Sequence, residues 1–180
     1  MTNKSNDTLL RVGELLALVL QGLCALAAGI VALIFVFVAL VGIGLLSGFA
    51  DNLPAPAMYP LPGAGLALSM FASLAALFFF FGHMRAIIRS VTEGDPFVAE
   101  NARLLNAMAW LLLGHEVAAV LVGALRYHIA SLMDQIGPED AFFTFNPYEW
   151  DGLLMVILLF ILARVFRHGA AMRADLEGTV

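Results

Sequence analysis

His115 and Glu116 stand side by side within the apolar run "LLLGHEVAAVLVGALRYH". A histidine next to a carboxylate is the raw material of acid–base chemistry or of a proton relay. With Leu104 and Leu125 as the ends of the run, both residues fall close to its middle. A charged acid at the centre of a bilayer costs at least about 2.5 kcal/mol unless it is paired, protonated or facing water. Two readings follow: a proton-coupled pathway, or a polar contact to another helix or to a second copy of the chain. Neighbours on a helix point about 100° apart, so the two side chains need not touch.

No catalytic constellation accompanies them. The sequence contains no G-x-S-x-G and no phosphate loop, and the "HE" at His115 is followed four residues later by Ala119 rather than a second histidine. His83, His115, His128 and His168 are scattered along the chain and do not make a metal site of any short spacing. The sequence therefore predicts neither an enzyme nor a cofactor or metal.

The elements that must carry these residues follow from composition. The chain has 180 residues, 62% of them hydrophobic and only 13% charged, against about 25% charged in a soluble domain. Four apolar runs account for the difference: Leu15 to Leu46, Leu61 to Phe81, Leu104 to Leu125 and Leu153 to Phe166. Each can be read as a spanning helix of about 20 residues, because in lipid the backbone must satisfy its own hydrogen bonds. The first run far exceeds the apolar stretch of a signal peptide, and Gly29, Gly42 and Gly44 are expected to be absorbed without ending it. Cys24, the one cysteine, reads as a small apolar residue within it.

The predicted fold is all-α: one membrane domain over 1–180, built as a four-helix transmembrane bundle with both termini cytoplasmic. Its spans are 15–48, 61–89, 102–127 and 150–168. A cytoplasmic loop and helix start cover 90–101, a periplasmic loop 128–149 and a cytoplasmic tail 169–180. Orientation comes from the basic residues. Lys4, Arg11, Arg85, Arg89, Arg103, Arg164, Arg167 and Arg173 fall on one side, and only Arg126 on the other. Asp51, Asp134, Glu139, Asp140, Glu149 and Asp151 gather outside, which leaves the inner side near balance. No concentrated basic patch remains for direct nucleic-acid binding.

The outer links have their own character. Ser47 to Gly63 holds four prolines and reads as a stiff, extended connection. "AFFTFNPYEWD" is dense in aromatics; with Tyr127, its Tyr148 and Trp150 suit the headgroup level, as do Phe142, Phe143 and Phe145. An aromatic, acidic cup for a cationic ligand is the alternative.

On the inner side, "GDPFVAEN" runs from Gly94 to Asn101. Gly94 is suited to end the second helix, and Asp95 followed by Pro96 reads as an N-cap with proline at the first helical position. Phe97, Asn101, Leu104, Leu105 and Met108 recur at helical spacing, and Glu100 and Arg103 can pair weakly across a turn. This places Phe97 and Asn101 on a displayed ledge. "ARVFRHGAAMRADLEGTV" continues the fourth helix beyond the bilayer, with Arg164, Arg167 and His168 near the lipid surface and an apolar Val180 at its end.

Together these two stretches resemble the domain-of-unknown-function 2975 family, small bacterial inner-membrane proteins with four predicted helices. Gly94, Pro96, Phe97, Asn101 and Leu104 match its first motif. Phe166, Gly169, Met172, Arg173, Thr179 and Val180 match the second, with Met172 where leucine is more usual. The resemblance implies no activity. It does imply a neighbour, since members are often encoded beside a small helix-turn-helix transcription regulator. The expectation is an anti-regulator whose contact surface comprises those residues and Arg167. The competing expectation is a small oligomeric transporter or proton-coupled channel using Glu116 and His115.

Overall fold

A computed structural model describes residues 4–45, 60–92, 94, 96–132 and 151–177. Four helices follow one another: α1 (Lys4–Gly42), α2 (Pro60–Thr92), α3 (Ala99–Leu132) and α4 (Asp151–Glu177). All four are long and apolar enough to cross a membrane, and the protein is a multi-pass, all-α membrane protein. The spans have mean hydropathies from 1.8 to 3.0, yet only 11–22% of their residues are buried within the protein. Their apolar side chains face outward, as lipid requires. Among them are Leu33 on α1, Phe79 on α2, Val117 on α3 and Leu154 on α4.

The end of α1 departs from the expectation that its glycines would be absorbed. Gly44 takes a φ of +80°. The Leu45 N–H donates to the Leu40 carbonyl at 3.1 Å, and the Gly44 N–H to the Val41 carbonyl at 2.9 Å. This pair of bonds is a Schellman cap. A glycine inside a helix is tolerated in lipid, but one positioned to adopt the left-handed conformation after the last turn stops it. At its other end α1 begins at Lys4, well before the apolar run.

The chain divides into two compact units. In the first, formed by Met1–Cys24, Ala76–Leu113 and Asp151–Val180, all four helices take part. Its core joins Leu105, Met108 and Ala109 of α3 to Leu159 and Ala163 of α4, with Phe80, Met84 and Ile87 of α2 packed against them. Ala109 and Ala163 are almost wholly buried, and small residues at such a seam let two backbones approach closely. Trp110 and Phe160 close its edge in a T-shaped contact, centroids 5.4 Å apart. The second unit, Ala25–Ala75 with Gly114–Trp150, buries Val31 and Val38 of α1, Ala67 of α2, and Ala118 and Ile129 of α3. There Leu125 lies on Gly65, its Cδ1 3.4 Å from where a Cβ would stand.

Residues 46–59, Asp95 and the acidic, aromatic loop with Phe142, Phe143, Phe145 and Tyr148 lie outside the described residues, as do Trp150, Thr179 and Val180. The end of the proline-rich link, Pro60 to Gly63, is not extended but forms the first turn of α2. Proline is tolerated there because the first N–H groups of a helix have no partner to lose. Replacing Gly44 with valine forces a branched side chain into a left-handed turn and should cost about 1–2 kcal/mol. A Cβ at Gly29 has nothing within 4 Å, so Gly29→Ala should leave stability unchanged or slightly raised. Thermal melts of the purified protein in mild detergent compare the two.

Candidate functional site

The segment between α2 and α3 is organised by a single side chain. Asn101 is only 1% exposed, the one buried polar residue among those described. Its Nδ2 donates to the Pro96 carbonyl at 2.8 Å and to Ser90 Oγ at 2.7 Å. The Ser90 hydroxyl in turn reaches the Ile87 carbonyl at 2.8 Å. One amide thus ties the last turns of α2, the connecting segment and the first turn of α3 together. A buried amide needs such partners, because an unpaired polar group in an apolar interior is costly.

This geometry corrects two sequence expectations. Asn101 is not displayed; it points inward and supports the turn. Nor does Pro96 open the helix, since α3 starts at Ala99 and Pro96, Phe97 and Val98 precede it. The Pro96 carbonyl is claimed by the Asn101 side chain, and the Asn101 N–H closes a short turn onto the Val98 carbonyl at 3.1 Å. The reading of Gly94 holds: its φ is +92° and its N–H bonds the Val91 carbonyl at 3.2 Å, closing α2. Arg103 and Glu100 also pair as expected, at 3.6 Å and well exposed.

Phe97 is 46% exposed, yet one face of its ring is used. It packs on Phe166 with centroids 5.2 Å apart, and a Cβ built on Gly169 would stand 2.9 Å from Phe97 Cδ1. Gly169 is therefore a notch in α4 that the Phe97 ring fills. Sequence reading assigned Phe97, Phe166 and Gly169 to the inner side; the structure brings them into direct contact. Leu104 is half-buried. Beside the clasp lies a groove of about 720 Å³, lined by Phe97, Ile161, Val165, Met172 and by Arg164, His168 and Arg173. A second, of about 500 Å³, shares Arg164 and His168 and adds Arg167 and Asn106.

In the other unit, His115 Nδ1 lies 2.7 Å from Ser73 Oγ. His115 thus makes an interhelical polar contact between α3 and α2, whereas the sequence reading puts the bond across to another helix on Glu116. Glu116 is half-buried and has no hydrogen bond or ion pair among the described residues.

A third polar cluster went unnoticed in the sequence. Glu14 and Gln21 of α1 face Arg85 and Arg89 of α2. Arg89 Nε donates to Glu14 Oε1 at 2.7 Å, Arg85 Nη2 lies 3.9 Å from the same oxygen, and Arg85 Nη1 donates to Gln21 Oε1 at 3.1 Å. Gly82 leaves room for the Gln21 amide, 3.0 Å from the place of a Cβ. The signal was present: Glu14 and Gln21 are seven apart within or beside an apolar run, and Arg85 and Arg89 four apart, so each pair shares a helix face.

Asn101→Leu leaves the Pro96 carbonyl without its donor and removes the bond to Ser90, whose hydroxyl keeps the Ile87 carbonyl, and should cost roughly 1–3 kcal/mol. Gly169→Ala drives a methyl into the Phe97 ring and should cost about 1–3 kcal/mol, relieved when combined with Phe97→Ala. Melting curves of the two single variants and the double variant measure both effects.

The chain belongs to a family of proteins of unknown function, DUF2975, whose family model matches residues 45–180. No curated protein and no solved structure gives a significant match.

Proposed function

We propose that this member of the family is a regulatory partner in the bacterial inner membrane that binds and sequesters a small helix-turn-helix transcription regulator at its cytoplasmic face. The observation that supports the reading is the contact of Phe97 with Gly169 and Phe166. It joins the two motifs that resemble the family into one surface. That surface lies among the arginines that the charge asymmetry assigns to the cytoplasm. Its outward members are Phe97, Arg167, Met172 and Arg173, while Gly94, Pro96, Asn101, Leu104, Phe166 and Gly169 give it shape. Thr179 and Val180, at the end of the chain, complete the proposed contact.

The mechanism is mass action. Holding the regulator at the membrane lowers its free concentration at DNA, and a signal acts by favouring a state that grips less tightly. The reading requires no catalytic step and no cofactor. Met172→Glu places a charge on an apolar part of the surface away from Asn101. Co-purification with the regulator encoded beside the gene should fall about tenfold, and removal of residues 169–180 should abolish it. A reporter driven by the regulator's own promoter should respond in parallel. Unchanged retention by both variants, with normal membrane insertion, rules the surface out.

Glu116 supports a second reading. An acid with no partner among the described residues, in the middle of α3, suits an oligomeric transporter or proton-coupled channel, with His115 beside it. Glu116→Gln should then abolish flux in reconstituted vesicles and leave regulator retention intact. Flux that persists in the variant removes the transport reading.

A further inference from the structure

We infer that the groove between Phe97 and the C-terminal half of α4 is a binding site for one anionic phospholipid. The groove would hold an acyl chain, and Arg164, His168 and Arg167 would hold the phosphate. The site shares Phe97, Arg167 and Met172 with the proposed regulator surface, but the lipid is tested on the purified chain without the regulator, so either reading can fail alone.

Three features of the groove carry it. Its membrane-side part is apolar: Ile161 and Val165 lie one turn apart on one face of α4, while Phe97 and Met172 line it further toward the cytoplasmic end, past Arg164 and His168. At about 720 Å³ it can take a large part of an acyl chain. All the α4 residues of the groove fall within the candidate membrane span Gly152–Leu176, and Ile161 and Val165 belong to its apolar part, Leu153 to Phe166 save Arg164, where chains are available.

The cations are the second feature. Arg164 and His168 are four apart and line both this groove and the neighbouring one, which adds Arg167. They form a ridge between an apolar slot and a polar one. Arg164, Arg167 and His168 make no hydrogen bond or ion pair among the described residues, so two full positive charges and an imidazole donor are left without an internal counterpart. By contrast Arg85 and Arg89 are held by Glu14, and Arg103 by Glu100.

Depth is the third. One turn of helix separates Arg164 from His168, a rise of about 6 Å. A phosphate at the bilayer surface can be reached by both, with the Arg164 stem running along the groove and its guanidinium reaching outward to water. A basic cluster at a helix end attracts anionic lipid. A basic cluster flanking a preformed apolar slot selects for a molecule that carries both a phosphate and a chain.

Native mass spectrometry of the full chain released from detergent tests this. The probes are dioleoyl phosphatidylglycerol, dioleoyl phosphatidylcholine and inorganic phosphate at matched concentrations. The phosphatidylglycerol adduct should form at roughly tenfold lower concentration than the phosphatidylcholine adduct, and phosphate alone should not be retained. Arg164→Gln with His168→Gln should remove the headgroup preference. Val165→Trp, which fills the slot, should weaken both lipid adducts. Arg126→Gln, at the other end of α3, should change neither. Equal binding of the two lipids overturns the inference, as does a preference that survives Arg164→Gln with His168→Gln or is lost equally with Arg126→Gln. Retention of both lipids by Val165→Trp at the wild-type level shows that the slot holds no chain. Phosphate retained as well as phosphatidylglycerol shows an anion site rather than a lipid site.

Discussion

A chain whose outer surface is as apolar as its solvent has little hydrophobic drive to bring its helices together. Association must instead come from close packing and from polar contacts that have nowhere else to go. The described structure follows that constraint closely. Ala109 and Ala163 let α3 and α4 approach, Gly65 admits Leu125, and Gly169 admits Phe97. The polar contacts are few and each joins different segments: Asn101 to Ser90 and Pro96, His115 to Ser73, Glu14 and Gln21 to the two arginines of α2. In water such bonds would compete with solvent. For Asn101, enclosed by protein, the alternative is no partner at all; the Glu14–Arg89 pair is partly exposed and its hold is correspondingly weaker.

Much of the fold was legible because lipid imposes a strong compositional demand. Four long apolar runs became four helices, and Gly94 closed α2 as its place after the run implied. Where reading by local chemistry failed, a tertiary contact had intervened. Asp95 and Pro96 have the chemistry of a helix start, but the Asn101 amide takes the Pro96 carbonyl and the helix begins later. Asn101 looked like a display residue because asparagine is usually exposed. Only its neighbours Ser90 and Pro96, one of them eleven positions back along the chain, explain its burial. Gly44 failed in the opposite sense: a rule that glycine is tolerated inside membrane helices was applied to a glycine at the end of one.

The candidate surface was legible in part. Its residues could be named from two short stretches, but their joining could not, since nothing in the spacing of Phe97 and Gly169 says that a ring will occupy the absent side chain. The groove was invisible for the same reason. It exists because the Phe97 ring, seated on Gly169, stands beside Ile161, Val165 and Met172 of α4, and such concavity is a property of two segments at once. The α1–α2 cluster could have been found earlier by asking which charged residues share a face rather than which side of the membrane they favour.

The fit of Phe97 into the Gly169 notch also sets an angular register. Each residue on α4 is turned about 100° from the next, so any rotation that moved Gly169 aside would bring the side chain of His168 or Ala170 toward the ring. Neither leaves space for it. The notch is therefore a key that admits one azimuth of α4, and with it one heading for every cation on that helix. Turning the key and re-aiming Arg164, Arg167 and His168 are one motion.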